Sequence, residues 1–304
     1  MLQEAIIRIA KPYIRRELPG WGRLMSAVAS YKRDWLWRNA PVKQVRGKLH
    51  NYLMHLNLAE WPDRSTFFLD RWYDLETQLF LAATVRPGDT VIDVGANRGM
   101  FALTASRIVG PTGRVVCFEP NPRCVSTLEL EIRSNQISNI DVHKVGLGAE
   151  NGTLKLTVPQ VNSGQGTFSQ TLYDGDAAYR LDVPVVTGDS LLAGVQPSFI
   201  KMDVEGFELN ALRGLVGTIR RSNPVLVHEV SPNFMKSLGY CVSDIRTLMG
   251  GLDYQGYMLT LIKKKRGYDW SLVDFPNDDQ DCDVVWIHQT KVADLRARYP
   301  ANFH

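Results

Sequence analysis

From residue 75 onward the chain alternates apolar segments of two periods, and that alternation leaves few folds open. Residues 76–85 have helical spacing and stop at the breaker Arg86-Pro87-Gly88-Asp89. A short buried run, 90–95, then precedes a helical pattern at 97–109 that ends at Gly110. The same unit repeats, with strand-like runs at 113–120, 140–148, 198–206 and 224–230 and helical spacing at 123–136 and 207–221. Strands alternating with helices pair in parallel and need cover on both faces. The stretches 152–158 and 180–188 break the rhythm as an inserted strand pair. Residues 257–289 carry two strands around a polar loop, a closing antiparallel hairpin.

The turn after the first strand reads Gly95-Ala96-Asn97-Arg98-Gly99. In open α/β sheets, ligands sit outside the carboxyl ends of strands, so this turn is a candidate binding site. Gly95 and Gly99 lack a Cβ and would let backbone N–H groups meet a ligand directly, beside the positive end of the next helix. The dinucleotide fingerprint would need glycine at position 97, which is Asn97, and no P-loop is present. Neither a pyrophosphate nor a triphosphate is therefore the expected ligand. The second strand ends at Glu119, where a carboxylate can accept hydrogen bonds from both hydroxyls of a ribose.

The segments "VIDVGANRG", "FEPNP", "KMDVEGFE" and "HEV", in this order, resemble the FkbM family of S-adenosylmethionine-dependent methyltransferases over about residues 75–290. The resemblance implies an α/β fold of class I methyltransferase (Rossmann-like) type. Its sheet would be seven-stranded and mostly parallel, with an antiparallel terminal hairpin. The resemblance also implies S-adenosylmethionine as cofactor and transfer to a hydroxyl of a sugar, glycan precursor or natural product. Carried over, Asp93, Gly95, Ala96 and Asn97 would hold the methionine end, with Gly99 closing the turn. Glu119 would bind the ribose, Pro120 and Asn121 would lie beside the adenine, and Gly146 and Leu147 would wall it. Arg98 stands where the family has an apolar residue, and "VTGDSL" replaces its commoner Thr-Leu-Asp pattern, which leaves the role of Asp189 open. Three rivals remain: an N-methyltransferase of a small molecule or protein, a non-catalytic cofactor-binding adapter, and a nicotinamide-dependent oxidoreductase, which Asn97 opposes.

Methyl transfer to a hydroxyl needs alignment and a base. Asp203, Glu205, His228 and Glu229 gather at adjoining strand ends and are the catalytic candidates, Asp203 also as a cofactor contact. Strand alternation would put Asp203 and Glu205 on one side. Each has a plainer reading: Asp203 as a structural or cofactor-contacting acid, Glu205 as a solvated helix-start acid, His228 as a satisfied core histidine. The four could also ligate a divalent cation such as magnesium, but no recognised metal-ligand spacing supports this, and no metal is expected. Asn162 and Ser163, in a loop rich in Gly, Ser and Gln, are candidate contacts for a polyhydroxylated acceptor.

Charge is uneven. Residues 1–50 hold 11 Lys/Arg against 3 Asp/Glu, whereas the rest is net acidic. Residues 1–60 read as a basic segment of short helices broken at Pro12, Pro19-Gly20 and Pro41, and 61–304 as the methyltransferase domain. For the basic segment a lid, a homodimer contact, peripheral membrane contact and an acidic-acceptor site stay open, while the acidic remainder argues against nucleic acid. Cys117, Cys124, Cys241 and Cys282 show no paired spacing. Without a visible signal or a long apolar run, the expected location is cytoplasmic, membrane association staying open.

Overall fold

The computed structural model describes residues 2–159, 164–172, 178–264, 267–275 and 280–304. The chain divides into two compact units, one of residues 1–75 with 129–137, the other of 76–128 with 138–304. Among the described residues no helix is long and apolar enough to cross a membrane.

The first unit contains helices Leu2–Arg15, Trp21–Ala29, Asp34–Trp37 and Trp61–Leu69. It departs from the expected run of broken helices in two places. Pro12 lies inside the first helix, on its exposed side, without ending it. Residues 42–57 form an antiparallel ribbon of β1 (Val42–Arg46) and β2 (Leu53–Asn57), exposed and half-buried positions alternating along β1 and half-buried and buried ones along β2. The unit is pinned by Arg64, fully buried, whose guanidinium donates to the carbonyls of Ala29 (2.8 Å) and Leu58 (2.9 Å) and pairs with Asp34.

The second unit is built on one sheet. Its strands in chain order are β3 (Thr90–Val94), β4 (Arg114–Phe118) and β5 (Ile140–His143). After the short β6 (Gly146–Leu147), β7 (Gly152–Pro159) and β8 (Ala178–Val186) come β9 (Phe199–Met202), β10 (Val225–Val230), β11 (Tyr254–Lys263), β12 (Tyr268–Asp274) and β13 (Cys282–His288). The main sheet runs β12-β11-β13-β10-β9-β3-β4-β5. Strands β5, β4, β3, β9 and β10 pair in parallel, and β13 joins β10 antiparallel. The sheet thus has eight strands rather than the expected seven, because the closing segment holds β11 and β12 beside β13, not a single hairpin. The inserted pair β7 and β8, with β6, makes a separate three-stranded sheet.

Apolar burial explains the parallel core. Val91, Ile92 and Val94 of β3, Val115, Val116 and Phe118 of β4, and Ile200 and Met202 of β9 are almost wholly shielded from solvent. Register then aligns the strand ends: Val94 pairs with both Phe118 and Met202, and Met202 with His228. Gly95, Glu119, Asp203 and Glu229 are therefore the next residues along four neighbouring strands, all at one carboxyl edge.

Candidate active site

That edge opens into a cleft lined on one side by Val94, Gly95, Asn97, Phe118, Glu119 and Asn121, and on another by Gly146 and Leu147. Its empty volume, out to the open mouth, is about 560 Å³. Asp203, Val204 and Glu205 border it, and Leu156, Gly164, Gly166 and Phe168 of the inserted sheet and its loop close a further side.

The glycines work differently from the expectation. The N–H groups of Gly95 and Ala96 both donate to the Phe118 carbonyl (2.9 and 3.1 Å), and that of Asn97 to Glu119 Oε2 (2.7 Å), so none is offered to a ligand. Gly95 has a φ of 75°, and a Cβ there would stand 1.8 Å from the Asp203 carbonyl oxygen. Gly99, at φ 85°, would collide with Leu128 of the helix Pro122–Ser134. Both glycines permit chain-to-chain approach. Neither Ala96 nor Gly99 lines the cleft. Gly95→Ala should destabilise the protein by about 2–4 kcal/mol, since the turn and the β9 end must separate. A chemical-denaturation midpoint equal to the parent's would contradict this.

Glu119 is buried with its two oxygens accepting from the N–H groups of Asn97 and Asn121 (2.8 Å for the latter). Burial pushes its carboxyl up to about 7, partly offset by those two bonds. Each oxygen keeps a second lone pair for a ribose hydroxyl. Phe118 and Leu147 offer apolar wall beside it, and Pro120 and Asn121 line the same end. Asn97 Oδ1 is buried on the cleft wall without a hydrogen-bond partner among the described residues, an acceptor left over for a ligand's donor.

Asp93 does not line the cleft. It is fully buried, and burial raises its carboxyl to about 6. Lys201 Nζ lies 4.0 Å from it and 3.2 Å from Asp203 Oδ2, bridging the two acids.

Asp203, Glu205 and Glu229 converge, each offering an oxygen within 4.8 Å of the others'. Strand alternation does not do this: β9 ends at Met202, and Glu205 reaches the cluster through a left-handed turn at φ 48°, with Gly206 at φ 93°. Side chains that the sequence did not mark hold the turn. Thr167 Oγ1 donates to the Glu205 carbonyl (2.7 Å), and Tyr240 donates to that of Gly206. Buried Glu208 accepts from the N–H groups of Val204 (3.2 Å) and Gly206 (3.3 Å). Burial first, then the neighbouring acids, raises the carboxyl of Glu205 well above the usual range and that of Glu229 to about 7. Glu205 and Glu229 therefore resist ionising together.

His228 is corrected from catalytic candidate to core residue. It is 1% exposed, its Nε2 accepts from the Trp286 indole N–H (2.8 Å), and its Nδ1 lies 2.9 Å from the Glu229 carbonyl. An indole can only donate, so Nδ1 carries the proton and both nitrogens are engaged. Burial lowers its pKa to about 4, which leaves it neutral at physiological pH. Asp189 is structural as well: its carboxylate accepts from the N–H groups of Gly217 and Thr218 (2.8 and 2.6 Å), capping the helix Val216–Ser222. Asn162 and Ser163 lie outside the described residues.

The family model described as "Methyltransferase FkbM domain" matches residues 93–268. "Methyltransferase 1" of Beauveria bassiana is 28% identical over 172 residues, covering 49% of this chain and 64% of that protein. "Hexuronic acid methyltransferase AglP" of Haloferax volcanii is 28% identical over 142 residues, 46% of this chain and 55% of the relative. The chain thus spans less than two thirds of either relative's length. A solved structure of methyltransferase FkbM from Methylobacillus flagellatus KT is 17% identical, covering 88% of this chain and 60% of that one with a TM-score of 0.42.

Proposed function

The chain belongs to the FkbM methyltransferase family, and we propose that it uses S-adenosylmethionine to methylate a hydroxyl of a sugar or glycan precursor. When bound, S-adenosylmethionine supplies a methyl carbon made electrophilic by its sulfonium. Glu119 would hold the ribose and Asn97 would contact the opposite end, as the unfilled acceptors on both suggest. Phe118 and Leu147 would shield the adenine from water.

The observation that carries the choice of oxygen is the trio Asp203, Glu205 and Glu229. A hydroxyl attacks well only as its proton leaves, and a buried carboxyl with a raised pKa holds that proton more firmly than an exposed one. We assign the base to Glu205, with Glu229 sharing the proton and Asp203 held by Lys201. The name of the Haloferax relative raises a hexuronic acid as acceptor. An acceptor carboxylate placed here would add a further like charge to the acid cluster and further hold back ionisation of Glu205, so this site favours a neutral hydroxyl even on an acidic sugar. Asn162 and Ser163 are proposed to contact that acceptor.

The test is S-adenosylhomocysteine release with a panel of sugars, sugar nucleotides and amines, the product's methyl located by NMR. The expected product carries its methyl on oxygen. Turnover with amines alone would replace this reading by N-methylation. Lys201 already supplies positive charge beside the acids, so turnover should be unchanged by EDTA. A loss restored by magnesium would make the trio a metal site instead.

A further inference from the structure

The helix Leu2–Arg15 has two apolar faces. One is buried in its own unit by Ala10 (3% exposed) and Ile14 (0%). The other faces water: Leu2 is 61% exposed, Ile9 77% and Tyr13 37%, with Ala5 and Pro12 exposed between them. Positions 2, 5, 9 and 13 fall on one stripe at helical spacing, with Arg16 exposed just past the helix end. The same unit exposes Tyr31 (62%) and Trp35 (64%). A soluble surface scatters such residues singly, whereas a stripe marks something that covers it.

The charges identify what. All three acids of the first fifty residues are matched by cations of the same unit: Glu4 by Lys43 (2.7 Å), Glu17 by Lys48 (3.0 Å) and Arg71 (3.1 Å), and Asp34 by Arg64. By contrast Arg8, Arg16, Arg23, Lys32, Arg33 and Arg38 are exposed and have no ion-pair partner among the described residues. An apolar stripe with aromatic residues nearby, flanked by uncompensated cations, complements an anionic lipid surface. A polyanion such as nucleic acid would leave Leu2 and Ile9 without a use.

We propose that residues 2–38 dock the protein on the surface of an anionic bilayer, with Leu2, Ile9 and Tyr13 entering the headgroup boundary and Arg8 and Arg16 meeting lipid charge. The experiment is co-sedimentation of the whole chain with vesicles of phosphatidylcholine alone or mixed with phosphatidylglycerol. The parent should sediment with the mixed vesicles and be released by salt. Ile9→Glu and the double variant Arg8→Glu/Arg16→Glu should each reduce partitioning by about tenfold or more, leaving the melting temperature unchanged. Absence of binding to mixed vesicles, or equal binding by parent and variants, would overturn the proposal. So would a concentration-dependent dimer, seen by analytical ultracentrifugation and abolished by Ile9→Glu without any vesicle binding, since a second copy would then be the cover.

Discussion

Glu119→Ala should weaken S-adenosylmethionine binding by roughly 10- to 100-fold, the range for losing hydrogen bonds to a charged acceptor. Glu119→Gln should not rescue it. The two carboxylate oxygens accept from two different backbone N–H groups, those of Asn97 and Asn121. A glutamine amide would turn its own NH₂ toward one of them, leaving two buried donors face to face. The pH dependence follows with a definite sign. Burial holds the Glu119 carboxyl at about 7 in the ligand-free protein. If the ribose hydroxyls bind the ionised form, affinity is full above that pH and falls up to tenfold per unit below it. Calorimetry in buffers of different ionisation enthalpy would detect the proton released near neutrality. Affinity equal in parent and variants, with no proton release, would remove Glu119 from the cofactor site.

Glu205→Gln should lower kcat by about 10²- to 10⁴-fold, the usual contribution of a positioned base, while cofactor affinity stays close to the parent's. The substitution keeps shape and removes the proton acceptor, so a folding defect is not expected. In the parent, kcat should rise with pH, because the working carboxyl must be ionised and burial with the neighbouring acids holds Glu205 well above the usual carboxylate range. Glu229→Gln then gives a second readout. Removing one neighbouring negative charge eases ionisation of Glu205, so the rising limb should move to lower pH. A limb that stays in place, with Glu205→Gln fully active, would send the search for the base elsewhere.

Much of the parallel sheet was legible because its strands are buried on both faces and read as mostly apolar runs, as in residues 115–118 of β4. Their carboxyl ends carry Gly95, Glu119, Asp203 and Glu229, so the cleft could be located from spacing alone. The distinction between His228 and Glu229 was also there to be read. Adjacent residues of one strand point to opposite faces, so only one of them can join an acid cluster at the edge. What the sequence did not expose depends on tertiary contact. No local pattern links Tyr240 or Thr167 to the turn at Glu205, yet their hydroxyls hold its two carbonyls. The glycines at 95 and 99 were correctly seen as required by close approach, but the approaching groups are the Asp203 carbonyl and Leu128, not a ligand. Strand β12 was missed because its polar neighbours resemble a loop, and the ribbon of β1 and β2 because a mixed run of Val, Lys and His carries no clear period.

The structure of this chain with S-adenosylhomocysteine bound bears most directly on the central claim. The ribose hydroxyls are expected on Glu119, the adenine against Phe118 and Leu147, and the sulfur on the side of the cleft bordered by Asp203 and Glu205. A ligand whose ribose does not touch Glu119, or whose sulfur faces away from these acids, would contradict both the cofactor site and the assignment of the base.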